Sequence, residues 1–266
     1  MILPSASPIG LLLGLAAALA YVVPALAASR LQTKGVLAGL WTAWVLHAAT
    51  LAAGLLALTP RFGFAPALSI TAWLVLTVYA VERQLFPQLQ TRWVLSLLGA
   101  VAVLLALVFP GQPLQVKASS AWLPLHLALG IASYGLLAAA VVHAGLMMRA
   151  ERRIRLAVDP HSGLPLLALE RITFRFVMAG FALLTATLAA GLLFSETLYG
   201  RAWHWDHKAV LSVLAWFTLA ALLLGRSRFG WRGKTAVRML YAGAALLLLA
   251  YVGSRFVLEV LLGRSL

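Results

Sequence analysis

Seven consecutive residues, AWHWDHK at 202–208, gather more chemically capable side chains than any other stretch of this chain. His204 and His207 offer imidazoles, which bind metals and carry protons near neutral pH. Trp203 and Trp205 offer flat apolar faces, and Asp206 supplies one of only seven acidic residues among 266. The other histidines are His47, His126, His143 and His161. A neutral imidazole ligates iron and other transition metals, and haem iron takes one or two of them.

Each of these groups also has a plainer reading. Tryptophan anchors membrane proteins at the bilayer surface. Asp206 precedes a helical run, where a carboxylate caps free backbone amides. His126 is followed at i+4 and i+7 by Gly130 and Ser133, a small-residue face that admits either a flat ligand or a neighbouring helix. His47 falls midway along an apolar segment, where a histidine is either functional or hydrogen-bonded to an adjacent helix. His143 and His161 lie beside basic loops and are expected to be solvated or near lipid headgroups. Arg255 and Glu259 are spaced i, i+4 and can pair on one helical face.

The elements that must hold these residues are membrane helices. The chain is 63% hydrophobic and 11% charged, against about 25% charged in soluble domains. Eight apolar segments are read at 8–28, 36–59, 66–85, 93–109, 121–148, 173–194, 208–225 and 236–262, most of them near the roughly 20 residues a spanning helix needs. The fold expected is therefore an all-α integral membrane protein of about eight transmembrane helices, forming a single domain over 1–266. LPLLALERITFRF (164–176) reads as a short amphipathic piece leading into the sixth segment. With no cysteine, disulfides and thiolate metal sites are excluded within the chain.

The net charge of +14 reads as loop charge rather than as a nucleic-acid footprint. Arg30 and Lys34 follow the first apolar run, the reverse of the order in a cleaved signal, so that run is expected to be a retained span with its N-terminus outside. The inner side then carries fifteen basic residues and the outer side five, with Arg255 inside the last span. That positive-inside bias puts 202–208 and the C-terminus outside.

Three stretches together resemble the cytochrome c assembly family of haem-handling membrane proteins (the CcsA/CcmC type). They are HLALGIASYGLLAAA (126–140), LERITFRFVMAGFALLTATLAAG (169–191) running on to YGRAWHWDHK (199–208), and GWRGK (230–234). The likeness covers roughly 120–260, and the HemX/YpjD-like branch fits best. It implies that Trp203, Trp205 and Asp206 belong to a tryptophan-rich external segment that holds haem, with His126 as an external axial ligand. Tyr199 stands where a further tryptophan is usual and His207 where proline is usual. No histidine follows His207, so the family's later axial ligand is missing, and His207 or His204 is left to substitute.

The resemblance implies a non-enzymatic haem-binding protein of cytochrome c maturation in the cytoplasmic (inner) membrane, its tryptophan-rich loop periplasmic. The cofactor implied is b-type haem, its propionates met by Lys208 or Arg201 and more remotely by Arg255. Implied partners are apocytochrome c and other assembly proteins, within the lipid bilayer and without nucleic acid. A regulatory or scaffold protein that affects haem synthesis or complex assembly without stable haem is the alternative. A transporter ranks last, because the chain has neither paired intramembrane acids nor an inverted repeat.

Overall fold

In the computed structural model, residues 8–26, 33–57, 59, 61–85, 93–113, 122–156, 166–196 and 203–262 are described. Eight main helices account for most of them: α1 (Pro8–Leu26), α2 (Thr33–Leu55), α3 (Phe64–Leu85), α4 (Trp93–Val108), α5 (Trp122–Arg155), α6 (Leu166–Leu193), α7 (His207–Phe229) and α8 (Gly233–Leu248). After α8 the helix continues through a π-helical turn at Leu249–Gly253, an α turn at Ser254–Phe256 and a second π turn at Val257–Leu261. Among the described residues, seven helices are long and apolar enough to cross a membrane. The eighth, α4, has 16 residues, about 24 Å at 1.5 Å per residue. The protein is an all-α integral membrane protein. A two-residue antiparallel ladder also forms, pairing Arg61–Phe62 (β1) with Gln112–Pro113 (β2).

The chain divides into two compact units, one drawn from Met1–Leu85, Gln90–Gln115 and Arg255–Leu266 and the other from Phe86–Leu89 and Val116–Ser254. In the first, α1 packs on α2 and α4, and α3 packs on α4. Its polar centre is His47, fully buried on α2. One ring nitrogen lies 3.2 Å from the Tyr21 hydroxyl on α1 and the other 2.8 Å from the Ser69 hydroxyl on α3. Both ring nitrogens of His47 are thus hydrogen-bonded to side chains of neighbouring helices. Arg255 and Glu259 pair as their spacing requires, at 3.7 Å.

The second unit is an antiparallel bundle of α5 to α8. Its register follows from close approaches: Gly130 faces Thr187, Leu137 packs on Gly180, and Ser133 Oγ donates to the Gly180 carbonyl at 2.9 Å. A Cβ on Gly180 would come within 2.8 Å of Leu137 Cγ, so glycine is what lets α5 and α6 approach. Small-residue contacts of this kind drive helix association where lipid removes the usual hydrophobic incentive. Leu137, Val177, Ala215, Leu219 and Leu240 fill the interior. Tyr134 crosses to α8, its hydroxyl donating to the Leu247 carbonyl at 2.6 Å. At 130 and 133 the small-residue face is thus a packing seam.

Two helices outrun the apolar segments that announced them. α5 continues to Arg155, seven residues past 148, because basic residues suit a helix C-terminus and Glu151 pairs with Arg155 one turn on. α6 begins at Leu166 rather than 173, and Glu170 in these added turns pairs with Arg226 on α7. Packing of α5 on α6 corrects the expectation for His143, which is 5% exposed rather than solvated. Its Nδ1–H donates to the Ala139 carbonyl at 2.8 Å, and its ring lies 5.3 Å from Phe176. His161 lies outside the described residues.

Candidate functional site

Antiparallel packing puts the N-terminus of α5, the C-terminus of α6 and the N-terminus of α7 at one end of the second unit. His126 stands in the first turns of α5 and is half-buried, with Nδ1 enclosed by protein. Opposite it, α6 presents Gly191. A Cβ built on Gly191 would meet Trp203 Cζ3 at 3.3 Å and His126 Cε1 at 3.5 Å. The histidine and the first tryptophan of the 202–208 patch therefore converge on one glycine, from positions 77 residues apart in the chain. Gly191 was not singled out by residue chemistry, although it closes the 169–191 stretch that carries the family likeness.

The rest of the patch is arranged around that contact. The Trp203 Nε1–H is buried with no hydrogen-bond partner among the described residues. The Trp205 ring lies 5.8 Å from that of Trp203 at 87° and is 67% exposed. Perpendicular indoles cannot both stack on one flat molecule, so a planar ligand can lie face-on to one and edge-on to the other. Asp206 is the N-cap of α7, with extended backbone and its carboxylate accepting from Ala209 N–H at 2.8 Å. The capping role is realised, and it fixes where the tryptophans leave the helix. His204 and His207 are exposed, and Lys208 is half-buried in the first turn of α7. Arg201 and Tyr199 lie outside the described residues.

Among the described residues, no three His, Cys, Asp or Glu side chains are grouped so as to hold a bare metal ion. Haem asks for less, because the porphyrin nitrogens supply four ligands and the protein one or two. An imidazole, an adjoining aromatic face, a buried indole N–H without a partner and a side chain omitted at Gly191 suit such a group. Arg255 belongs to the first unit.

The opposite end of the same unit joins the other stretches of the family likeness. GWRGK (230–234) is the α7–α8 turn. Gly230 takes the left-handed conformation (φ 64°), and Trp231 folds back so that its N–H donates to the Gly225 carbonyl at 3.1 Å. Arg232 then reaches Glu170 at 3.7 Å, and Arg226 meets the same carboxylate at 2.7 Å while lying 3.6 Å over the Phe174 ring. Glu170 and Phe174 belong to the 169–191 stretch, so that motif is tied to the GWRGK turn at one end and to the tryptophan patch at the other.

Known proteins resemble this chain along most of its length. The family model for cytochrome c assembly proteins matches residues 12–262. The chain is 33% identical over 160 residues to an inner membrane protein of Escherichia coli, YpjD, covering 59% of this chain and 60% of that protein. It is 36% identical over 170 residues to an uncharacterised 28.8 kDa protein of Azospirillum brasilense, covering 62% of each. It is also 30% identical over 91 residues to the cytochrome c biogenesis protein CcsA of Gloeobacter violaceus, covering 34% of this chain and 27% of that one. The matched stretch thus spans about 60% of the length of the first two relatives. No solved structure matches. With a family model matched across nearly its whole length and both ends of its helical bundle built from the stretches that carry the likeness, this chain belongs to the cytochrome c assembly protein family.

Proposed function

We propose that this protein serves cytochrome c maturation in the inner membrane by holding b-type haem, non-covalently, at the His126 end of the α5–α8 bundle. The observation that carries the reading is the convergence of His126 and Trp203 on Gly191. His126 would ligate the haem iron, and Trp203 would supply the aromatic face beside it. Trp205 and the exposed His204 and His207 form the outer lip, from which His207 or His204 would supply a second ligand. Lys208, in the first turn of α7, would meet a propionate by a charge-assisted hydrogen bond. Asp206 holds the loop in place through its cap on α7. Bound there, haem supplies the redox-active iron and the vinyl groups that cytochromes c carry as thioethers. The role of this chain is binding and delivery rather than catalysis, to apocytochrome c and other assembly proteins. The fifteen-to-five distribution of basic residues supports a periplasmic position for the tryptophan loop.

The test is a haem titration of the purified protein followed by absorption spectroscopy. A Soret band should appear, and His126→Ala should remove or shift it. A protein that yields no Soret band, or one that His126→Ala leaves unchanged, overturns the site. A second reading has one observation in its favour, the absence of any histidine after His207. On that reading the protein regulates haem synthesis or scaffolds a membrane complex without stable haem, and its deletion alters haem-precursor levels while cytochrome c stays normal.

A further inference from the structure

The basic end of the α5–α8 bundle contains a cleft of about 810 Å³ between α6 and α7, walled by guanidinium groups on both helices and by the α7–α8 turn. Four arginines line it, Arg171 and Arg175 from α6, Arg226 from α7 and Arg232 from the turn, against a single carboxylate, Glu170. Glu170 is already engaged by Arg226 at 2.7 Å and by Arg232 at 3.7 Å. Arg171 and Arg175 have no carboxylate partner among the described residues and are exposed. They stand i, i+4 on one helix, an arrangement in which like charges repel and weaken the helix. The cleft thus keeps a surplus of three positive charges facing one space.

Its walls are not all polar. One turn further into the span from Arg175 is Met178, and one turn back from Arg226 are Leu223 and Leu224, all lining the same cleft. Met178 is 54% exposed and Leu224 56% exposed. Charge at the helix ends and apolar surface running from it along two neighbouring spans match a molecule with a phosphate head and hydrocarbon chains. Guanidinium groups hold phosphate oxygens through paired N–H donors, and basic pockets between membrane helices recognise acidic headgroups.

We infer that this cleft is a specific binding site for an acidic phospholipid, favouring one whose head carries two phosphates. One phosphate sits between Arg171 and Arg175, the other beside Arg226 and Arg232, and the acyl chains follow Met178 and Leu224. The surplus charge selects against zwitterionic lipids, whose heads are neutral overall. The site lies at the opposite end of the bundle from His126 and does not depend on the haem reading.

The test uses the full chain reconstituted in phosphatidylcholine nanodiscs with and without cardiolipin, followed by detergent extraction and native mass spectrometry of retained lipid. Cardiolipin should remain bound, and Arg171→Gln with Arg175→Gln should lower its retention by roughly tenfold or more. Arg149→Gln with Arg152→Gln, which removes equal charge from α5 outside the cleft, should leave retention unchanged, and circular dichroism of each variant checks the fold. Should the cleft variant fail to fold, Arg171→Lys with Arg175→Lys keeps the charge and removes the paired donors, and should still lower retention. Equal retention of phosphatidylcholine overturns the proposal, as does equal loss in both glutamine variants. Displacement of cardiolipin by inorganic phosphate would show an anion site without lipid selectivity, and also overturns it.

Discussion

His126 and Trp203 approach the same point in space: the Cβ that Gly191 lacks would lie 3.5 Å from one ring and 3.3 Å from the other. A histidine near the start of α5 and an indole just before α7 are brought together by α6, which contributes only an absence of side chain. Substituting Gly191 is therefore the most direct probe of the pairing. Gly191→Leu should separate the rings while leaving membrane insertion intact, and should weaken haem binding by roughly tenfold, equivalent to about 1.4 kcal/mol. Quenching of tryptophan fluorescence during haem titration measures the loss.

His47 offers the matching control. It is fully buried in the first unit, hydrogen-bonded to Tyr21 and Ser69. Ser69→Ala should lower stability by roughly 0.6–1.7 kcal/mol, the range found for interhelical hydrogen bonds in membranes. His47→Leu should destabilise as well yet keep the Soret band. If His47→Leu abolishes that band in folded protein while His126→Ala does not, the ligand assignment moves to His47.

At the α5–α6 crossing, Gly180 meets Leu137 with no room for a methyl group. Gly180→Ala should cost about 1–3 kcal/mol through overpacking, read as a lowered unfolding midpoint in detergent. Gly130→Ala, on the same interface with Thr187 Cγ2 at 3.6 Å from its added Cβ, should be close to neutral.

Glu170 binds two arginines from α7 and the following turn. Glu170→Gln keeps the shape and removes the charge, and should cost about 1–2 kcal/mol, limited by the exposure of Arg232. Arg226→Lys should lose part of the same stability, because an ammonium cannot keep the guanidinium stacked on Phe174. Chemical denaturation of each variant separates the two effects.

Asp206 is tested through its cap. Asp206→Ala should destabilise α7 by about 0.5–2 kcal/mol, while Asp206→Asn and Asp206→Ser, which can still accept from Ala209 N–H, should restore most of it. Since the cap also sets where Trp203 and Trp205 leave the helix, Asp206→Ala should broaden their fluorescence emission and Asp206→Asn should not.

The amino-acid order by itself determined what depends on composition and neighbouring residues. Apolar length marked the spans, Asp206 before an apolar run marked the start of α7, and the i, i+4 spacing of Arg255 and Glu259 foretold their pair. Three stretches of family likeness marked the bundle that matters. Helix ends were less legible where charged residues continue a helix, as at Arg152–Arg155 and at Glu170–Arg175. Hydropathy treats such residues as loop, while an ion pair or the helix dipole keeps them helical. Only the tertiary structure decided which faces meet. Antiparallel packing of α5 on α6 chose Gly191 as the meeting point of His126 and Trp203, and packing of α6 on α7 brought Arg226 to Glu170 from 56 residues away. No local preference encodes those pairings, because they follow from how small-residue faces fit across neighbouring helices.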